Sequence, residues 1–430
     1  MQRLQVSENG RFLVQADGTP FFWLGDTAWE LFHKLDRAEA ELYLDNRAER
    51  GFNVIQAVAL AEFEGVTTGN AYDRLPLTRD AEGRWDPSNP DVGGEYDYWA
   101  HVDFVVDAAA ARGMYIAVLP TWGDKYNRMW GKGPEIFEPG NAYAYGKWLG
   151  SRYRDRPNVV WVLGGDRPLH TSKHHAIIRS MALGLKEGDE GGHLIAFHPT
   201  GKEASSTYVH GEEWLDFNMI QSGHFAGNQQ NADMIEKDYN RLPTKPILDA
   251  EPCYEDHPID FQAANGYFDP ADVRKAAYYA VFSGAFGHTY GHHSIWSMTT
   301  EPNEYFIMSW KDAVLRPGAA QMRHVRRLIE ARPFLERVPD QGLLAGNDAG
   351  ANRQVATRGA KYAMAYSPNG LRLRISMGRI QGARVRASWY DPRTGTFSTF
   401  GEYENRGVAE FVPPSSGRGD DWVLVLDGVD

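Results

Sequence analysis

Between Phe21 and Trp296 the chain alternates short apolar runs with longer segments whose apolar residues recur every three or four positions, the spacing that gathers them on one helix face. Eight runs have strand length: Phe21–Asp26, Phe52–Val58, Met114–Leu119, Asn158–Leu163, His193–Phe197, Phe217–Ile220, Pro246–Leu248 and Gly287–Trp296, the last taken with its loop. The spacing predicts helices over Arg37–Arg50, Tyr98–Arg112, Asn141–Arg154, His174–Lys186, Asn231–Tyr239 and Pro270–Gly284, with one more over Gly318–Ala331. Asp36 stands where an N-cap is wanted, and Pro270 where a first-turn proline is tolerated. Buried strands alternating with helices over roughly 300 residues predict a (β/α)8 TIM barrel of the α/β class.

The flanks read differently. Residues 3–24 give two short strands around the turn dipeptides Asn9-Gly10 and Asp17-Gly18, a hairpin suited to closing the barrel bottom. Glu62–Glu95 is polar and exceeds an ordinary connection, which points to function or disorder. Beyond Pro339 short runs follow one another: Arg353–Ala356, Tyr362–Tyr366, Leu371–Ser376, Val385–Tyr390 and Trp422–Leu426. Turn signals such as Pro368-Asn369-Gly370 separate them, so an antiparallel β-sandwich is expected. The expected organisation is a catalytic barrel with its hairpin over residues 1–335 and a β-sandwich domain over 336–430.

Charge narrows the partners. The 430 residues carry a formal net charge of -12, which repels phosphate backbones and anionic lipid, so neither nucleic acid nor a membrane surface is an expected partner. No apolar run has the length of a membrane span. The opening MQRLQVSENG lacks a signal-peptide core, so the chain as given reads as cytoplasmic, or periplasmic or secreted if a signal was trimmed. Aromatic residues make up 13%, enough for a large core, for sugar-stacking platforms, or for both. The single cysteine, Cys253, excludes an intrachain disulfide. Nothing in the pattern sets an oligomeric state.

A barrel of this kind carries its site at the C-terminal ends of its strands. Those ends are Asp26, Gln56, Asp124, Asp166, His198, Gln221, Glu251 and the histidine-rich run Gly287–His293. Two buried strands deliver acid: NVVWVLGGD (158–166) and KPILDAEPCYE (245–255). Glycoside hydrolysis needs two such groups, one to protonate the leaving oxygen and one to attack or to activate water. A carboxyl at the end of a buried strand is partly desolvated, which raises its pKa and suits Asp166 to general acid work. Pro252 restricts Glu251 to extended backbone, and a nucleophile needs a fixed position. Arg167 is the ready ion-pair partner of a structural reading and also a candidate at the substrate. Trp29, Trp122, Tyr254 and Trp296 stack on a sugar or fill the rim. His198 and His224 bond sugar hydroxyls, orient Glu251 or are satisfied within the rim, and His292 belongs to the strand 8 loop. Asp26 binds a hydroxyl or caps a turn starting at Thr27.

The segments FFWLGDTAWELF (21–32), GFNVIQAVAL (51–60), VVWVLGGD (159–166) and PILDAEP (246–252) resemble the apiosidase-like family of retaining (β/α)8 glycoside hydrolases. SWYDPRTGTF (388–397) and WVLVLD (422–427) are similar to the β-domain, labelled for collagen binding, that accompanies these barrels. The resemblance covers nearly the whole chain. It implies a retaining exo-glycosidase acting on a polysaccharide or glycoside and releasing a furanose-type sugar such as apiose or arabinose. Asp166 would be the acid/base and Glu251 the nucleophile, with no cofactor and no metal. In the wider superfamily the acid/base is usually a glutamate preceded by asparagine; here it is an aspartate preceded by Gly165. Another residue must then bond the sugar 2-hydroxyl, and Asp26 and Gln56 are the candidates. Two rivals remain: a metal-dependent barrel hydrolase using the strand 8 histidines, and a non-catalytic carbohydrate-binding protein.

Overall fold

The computed structural model describes residues 1–227 and 231–430. Eight parallel strands form the barrel: Trp23–Thr27, Val54–Val58, Tyr115–Leu119, Val159–Gly164, Ile195–His198, Asn218–Gln221, Ile247–Asp249 and Gly287–Tyr290, called strands 1 to 8 below. Their spatial order is 5-4-3-2-1-8-7-6, with Glu203–Ala204 adding a short antiparallel piece beside strand 6. Every residue of the eight strands is buried, as expected where helices cover the outside and side chains fill the inside. The sheet order starts at strand 5 and ends beside strand 6, and side chains bridge that seam. The Ser205 hydroxyl donates to Phe197 O at 2.5 Å and accepts from Met219 N at 2.8 Å. Asp216 closes the lower end, its carboxylate accepting from Ile195 N at 2.7 Å.

The helices start where side chains can take up the free amides of the first turn. Asp36 caps Arg37–Glu49 in a capping box with Glu39, and Asp269 caps Pro270–Phe282 in a box with Asp272. The helices after strands 3 and 4, Pro139–Tyr153 and Ser172–Gly188, touch through glycines four apart. A Cβ at Gly146, Gly150, Gly184 or Gly188 would run into the facing helix's backbone, so this contact fixes how strand 4 and its acid sit.

Three sequence expectations change. The N-terminal hairpin is a three-stranded sheet, Leu4–Val6, Leu13–Gln15 and Pro20–Phe21, with Phe21 edge-on to Tyr115 at the start of strand 3. The polar stretch 62–95 folds its own hairpin, Leu77–Arg79 against Trp85–Pro90. Strand 8 stops at Tyr290, because the His292 ring accepts from Ser294 N and starts the short helix His293–Trp296. No helix among the described residues is long and apolar enough to cross a membrane.

Beyond the barrel a six-stranded antiparallel sheet, in chain order Val338–Pro339, Val355–Arg358, Tyr362–Ser367, Arg384–Asp391, Thr396–Glu404 and Trp422–Val429, packs with a two-stranded sheet, Leu373–Ser376 and Val408–Phe411. The six-stranded sheet is apolar on both faces. Ala363, Ala365, Leu424 and Leu426 pack toward the two-stranded sheet. The alternate residues Met364, Tyr366, Val423 and Val425 share one hydrophobic cluster with the barrel core. The meeting surface is the helix Pro270–Phe282, where Tyr278 stacks on Tyr366 at 4.8 Å. A buried ion pair crosses it: Arg274 holds Asp421 at 2.5 Å and reaches Gly419 O, and Tyr366 donates to the same carboxylate at 3.1 Å.

This junction carries a stability prediction. Arg274→Met leaves Asp421 buried without its cation, which costs about 3–5 kcal/mol. A thermal melt should show the barrel and the sheet lost together, at a lower temperature than in the parent protein. Two separate transitions, with the barrel unaffected, would contradict a shared core.

Candidate active site

The strand 4 end is bent into place. Gly164 and Gly165 take φ of +92° and +100°, and Asp166 follows at +58°. Left-handed backbone suits glycine and is tolerated by aspartate. The bend is held from both sides: Gly165 N donates to His198 O, and Gly165 O accepts from Gly123 N at 3.0 Å. A Cβ on Gly165 would meet Gly123 N at 2.8 Å. The turn therefore delivers the Asp166 carboxyl into a cavity of about 500 Å³ that Glu251 also lines, a volume ordinary for a small-molecule site.

The two carboxyl groups are compensated unequally. Glu251 is 5% exposed. His224 Nε2 hydrogen-bonds its Oε1 at 3.2 Å, and His198 Nε2 lies 3.1 Å from its Oε2. Burial pushes the Glu251 carboxyl up, but the two imidazoles more than offset that and hold it well below the usual carboxylate range. Asp166 takes one hydrogen bond from Arg167 Nη1 at 3.0 Å and one from the Thr200 hydroxyl at 3.5 Å. Burial first, and the Glu251 charge second, push it up to about 7 against Arg167 and His198. One carboxyl is thus held ionised while the other still carries a proton up to the neutral range, the division that acid–base chemistry on a single bond requires.

Eight of the fourteen residues expected at the site line this cavity: Asp166, Glu251, Trp29, Trp122, Gln221, His224, Tyr254 and Trp296. The other six lie behind it, and their expected substrate contacts are corrected here. Asp26 points out of the barrel into the following helix, where Arg47 and Tyr43 hold its Oδ2 at 2.5 and 2.6 Å; nor does it cap a turn, since Thr27 is still in strand 1. Gln56 points inward below the cavity and donates to Ala250 O at 3.0 Å. Asp124 is tied to Lys125 and to Gly133 N, pinning the loop after strand 3. His292 pairs with Asp256 at 3.1 Å. Arg167 is buried beneath Asp166. His198 packs against the adjoining rings of Trp29 and Trp122, at ring-centroid distances of 5.3 and 6.0 Å, beside Glu251.

The sequence reading also missed cavity residues. Glu62 is a third carboxylate, bound to Arg167 Nη2 at 2.9 Å. Burial foremost, with Asp124 and Asp166 adding to it against Arg167, raises its pKa to about 7. Trp130 is 59% exposed and covers the Arg167 guanidinium at 4.1 Å. His257 stacks on His224 at 4.1 Å and meets His293 at 4.3 Å. All sit on irregular loops, where no periodicity marks a position. The strand 8 histidines do not converge: His288 is buried without a partner for either ring nitrogen among the described residues, and His293 bonds Tyr305 O. No group of three or more His, Cys, Asp or Glu among the described residues is placed to hold a metal ion.

The family model described as "Apiosidase-like, catalytic domain" matches residues 7–336. A second, described as "Putative collagen-binding domain of a collagenase", matches residues 338–427. The fold is similar to the crystal structure of a glycoside hydrolase family 5 protein from Bacteroides vulgatus, with 34% identity and a TM-score of 0.91 over 99% of this chain and 92% of that one. It is also similar to a structure named only as a glycoside hydrolase, with 35% identity and a TM-score of 0.88 over 99% of this chain and 97% of that one. The search of curated proteins gives no match.

The corrected place of Asp26 can be tested directly. Asp26→Ala strips the partner from a buried guanidinium and should destabilise the protein by about 3–5 kcal/mol. Urea unfolding measures this. The folded fraction should keep its KM on any substrate, and a raised KM at unchanged stability would return Asp26 to the cavity.

Proposed function

The chain belongs to the apiosidase-like family of (β/α)8 glycoside hydrolases, and from that premise we propose that it is a retaining exo-enzyme in which Glu251 is the nucleophile and Asp166 the acid/base. The observation that carries the assignment of the pair is that Asp166 and Glu251 line one cavity with two imidazoles on Glu251 alone, which favours its ionised form; retention and exo action are taken from the family.

In the first displacement a Glu251 oxygen bonds the anomeric carbon while the glycosidic C–O bond breaks. The Asp166 proton goes to the leaving oxygen. In the second, Asp166, now a carboxylate, takes a proton from water. The water oxygen bonds the anomeric carbon and Glu251 leaves as the ion. His224 and His198 spread the negative charge of Glu251 in the resting enzyme and receive it again at the end. Gln56 fixes the carbonyl of the preceding residue, Ala250, which favours one Glu251 geometry. Trp29 and Trp122, packed on each other at 5.1 Å, offer one apolar wall to a sugar ring. A furanose-type glycone such as apiose or arabinose, cut from the end of a polysaccharide or glycoside, is the substrate class that the family supports.

Glu251→Gln and Asp166→Asn should each lower turnover of an activated aryl glycoside by roughly 10³-fold or more. Azide should restore part of the loss in Glu251→Gln as a glycosyl azide, and NMR of the first-formed product should show the substrate's anomeric configuration. Wild-type-like turnover in either variant removes that residue from the mechanism, and an inverted first product removes retention.

The pH profile follows from the signs. Activity needs Asp166 protonated, so it should fall as pH rises through about 7. It needs Glu251 ionised, so the acid limb should lie below the ordinary glutamate range. The alkaline limb should disappear from the residual activity of Asp166→Asn. Its persistence there would assign it to another group, Glu62 being the nearest candidate.

A further inference from the structure

Glu62 stands on the loop after strand 2 and lines the cavity that Asp166 and Glu251 share. Its side chain is 13% exposed. Oε1 accepts from Arg167 Nη2 at 2.9 Å, while Oε2 has no hydrogen-bond partner among the described residues. The other arm of the same guanidinium, Nη1, holds Asp166 at both its carboxylate and its backbone oxygen, at 3.0 and 2.9 Å. Arg167 is fully buried and capped by Trp130. One buried cation therefore holds two carboxylates on one wall and leaves Oε2 of the partly exposed Glu62 available to a ligand.

Two residues lining the same cavity carry polar atoms without a partner among the described residues, Trp122 Nε1 and Gln221 Oε1, on residues 3% and 5% exposed. Buried donors and acceptors of this kind are normally satisfied. A donor, an acceptor and a free carboxylate oxygen around one cavity match a ligand rich in hydroxyls, each of which both donates and accepts. A ligand carboxylate fits the Glu62 position poorly, since Asp166 and Glu62 already share one guanidinium and Glu251 lines the same cavity.

We propose that Glu62 is a substrate-binding residue of this site, its Oε2 accepting a hydrogen bond from a hydroxyl of a neutral sugar ring held between Asp166 and Glu251. The proposal rests on the reading of those two residues as the reacting pair. It adds a determinant of specificity: the sugar must present a hydroxyl, and no charge, toward strand 2.

The test is Glu62→Gln, assayed on the aryl glycoside that the wild type turns over best and on its monodeoxy analogues. In Glu62→Gln the side-chain carbonyl can still hold Arg167, but the amide presents a donor where the hydroxyl needs an acceptor. Loss of one hydrogen bond to a charged group should lower kcat/KM on the parent glycoside by about 10- to 100-fold. On one deoxy analogue the wild type should already show that loss, and the substitution should add less than about threefold to it. Glu62→Ala should repeat the pattern if it folds, as judged by circular dichroism. An equal penalty on the parent and on every deoxy analogue overturns the proposal, because Glu62 would then act only through Arg167. So does a parent kcat/KM within twofold of wild type. Glu251→Gln with azide is run alongside. Failure of its rescue, with the deoxy pattern intact, strikes the reacting pair and leaves the Glu62 contact standing. Azide rescue of Glu62→Gln in its place would make Glu62 the nucleophile and end both.

Discussion

Two carboxyl groups cannot face one poorly hydrated cavity on equal terms. Each charge removed from water has to be compensated, and two like charges nearby oppose each other's ionisation. Here compensation goes to one side. Glu251 has an imidazole at each oxygen. Asp166 has part of a guanidinium that Glu62 also draws on. The asymmetry follows from placement: His198 ends strand 5 and His224 follows strand 6, both within reach of Glu251, while Arg167 follows Asp166 directly in sequence. A difference in proton affinity is thereby built into the backbone order.

That asymmetry is only as firm as the layer beneath it. His198 is fully buried, with Trp29 and Trp122 packed against its ring, so it is held beside Glu251. His224 is backed by His257 and then by His293, three imidazoles in contact. His257 and His293 are driven to lower pKa first by burial and then by neighbouring imidazoles, so the neutral stack supports His224 without adding charge. Strand 7 is only three residues long, and its helix, Pro270–Phe282, is buried along nearly its whole length by the neighbouring helices and the C-terminal sheet. The second sheet therefore belongs to the support of Glu251. Cutting the chain at the join would expose an apolar helix face directly behind the site, so removal of the sheet is not a clean probe of its own function.

Much of this was legible from residue order, for identifiable reasons. Fully buried parallel strands give unbroken apolar runs, so VVWVLG and the other barrel strands declared themselves, as did helices with Asp36 or Pro270 at their starts. The acids of strands 4 and 7 were legible because each follows such a run. The sheet pairing of Thr396–Glu404 was not, since that strand is exposed for most of its length and offers no alternation to read. Glu62, Trp130 and His257 were invisible for a related reason: on irregular loops neither period nor neighbour predicts direction.

The misplacement of Asp26 is more instructive, because the information needed was present. Successive strand residues point to opposite sides of a barrel wall. In FFWLGD, Trp23 and Gly25 share one side, and Leu24 and Asp26 the other. A barrel interior can hold Trp23 opposite a glycine, and that parity sends Asp26 outward to a helix. That helix carries Tyr43 and Arg47 one turn apart, the spacing that lets two side chains grip one carboxylate. Strand ends thus supply two populations of polar residue, one facing the mouth and one anchoring the outer helices, and parity separates them. Gln56 shows the next limit. Its parity is inward, yet it sits one layer too deep and spends its amide on Ala250 O. Inward parity together with height above the last closed layer leaves Asp166, Gln221 and Glu251 as the strand-end polar groups at the cavity. The remaining contacts to a substrate must then come from loops, and specificity can change there without disturbing the proposed reacting pair.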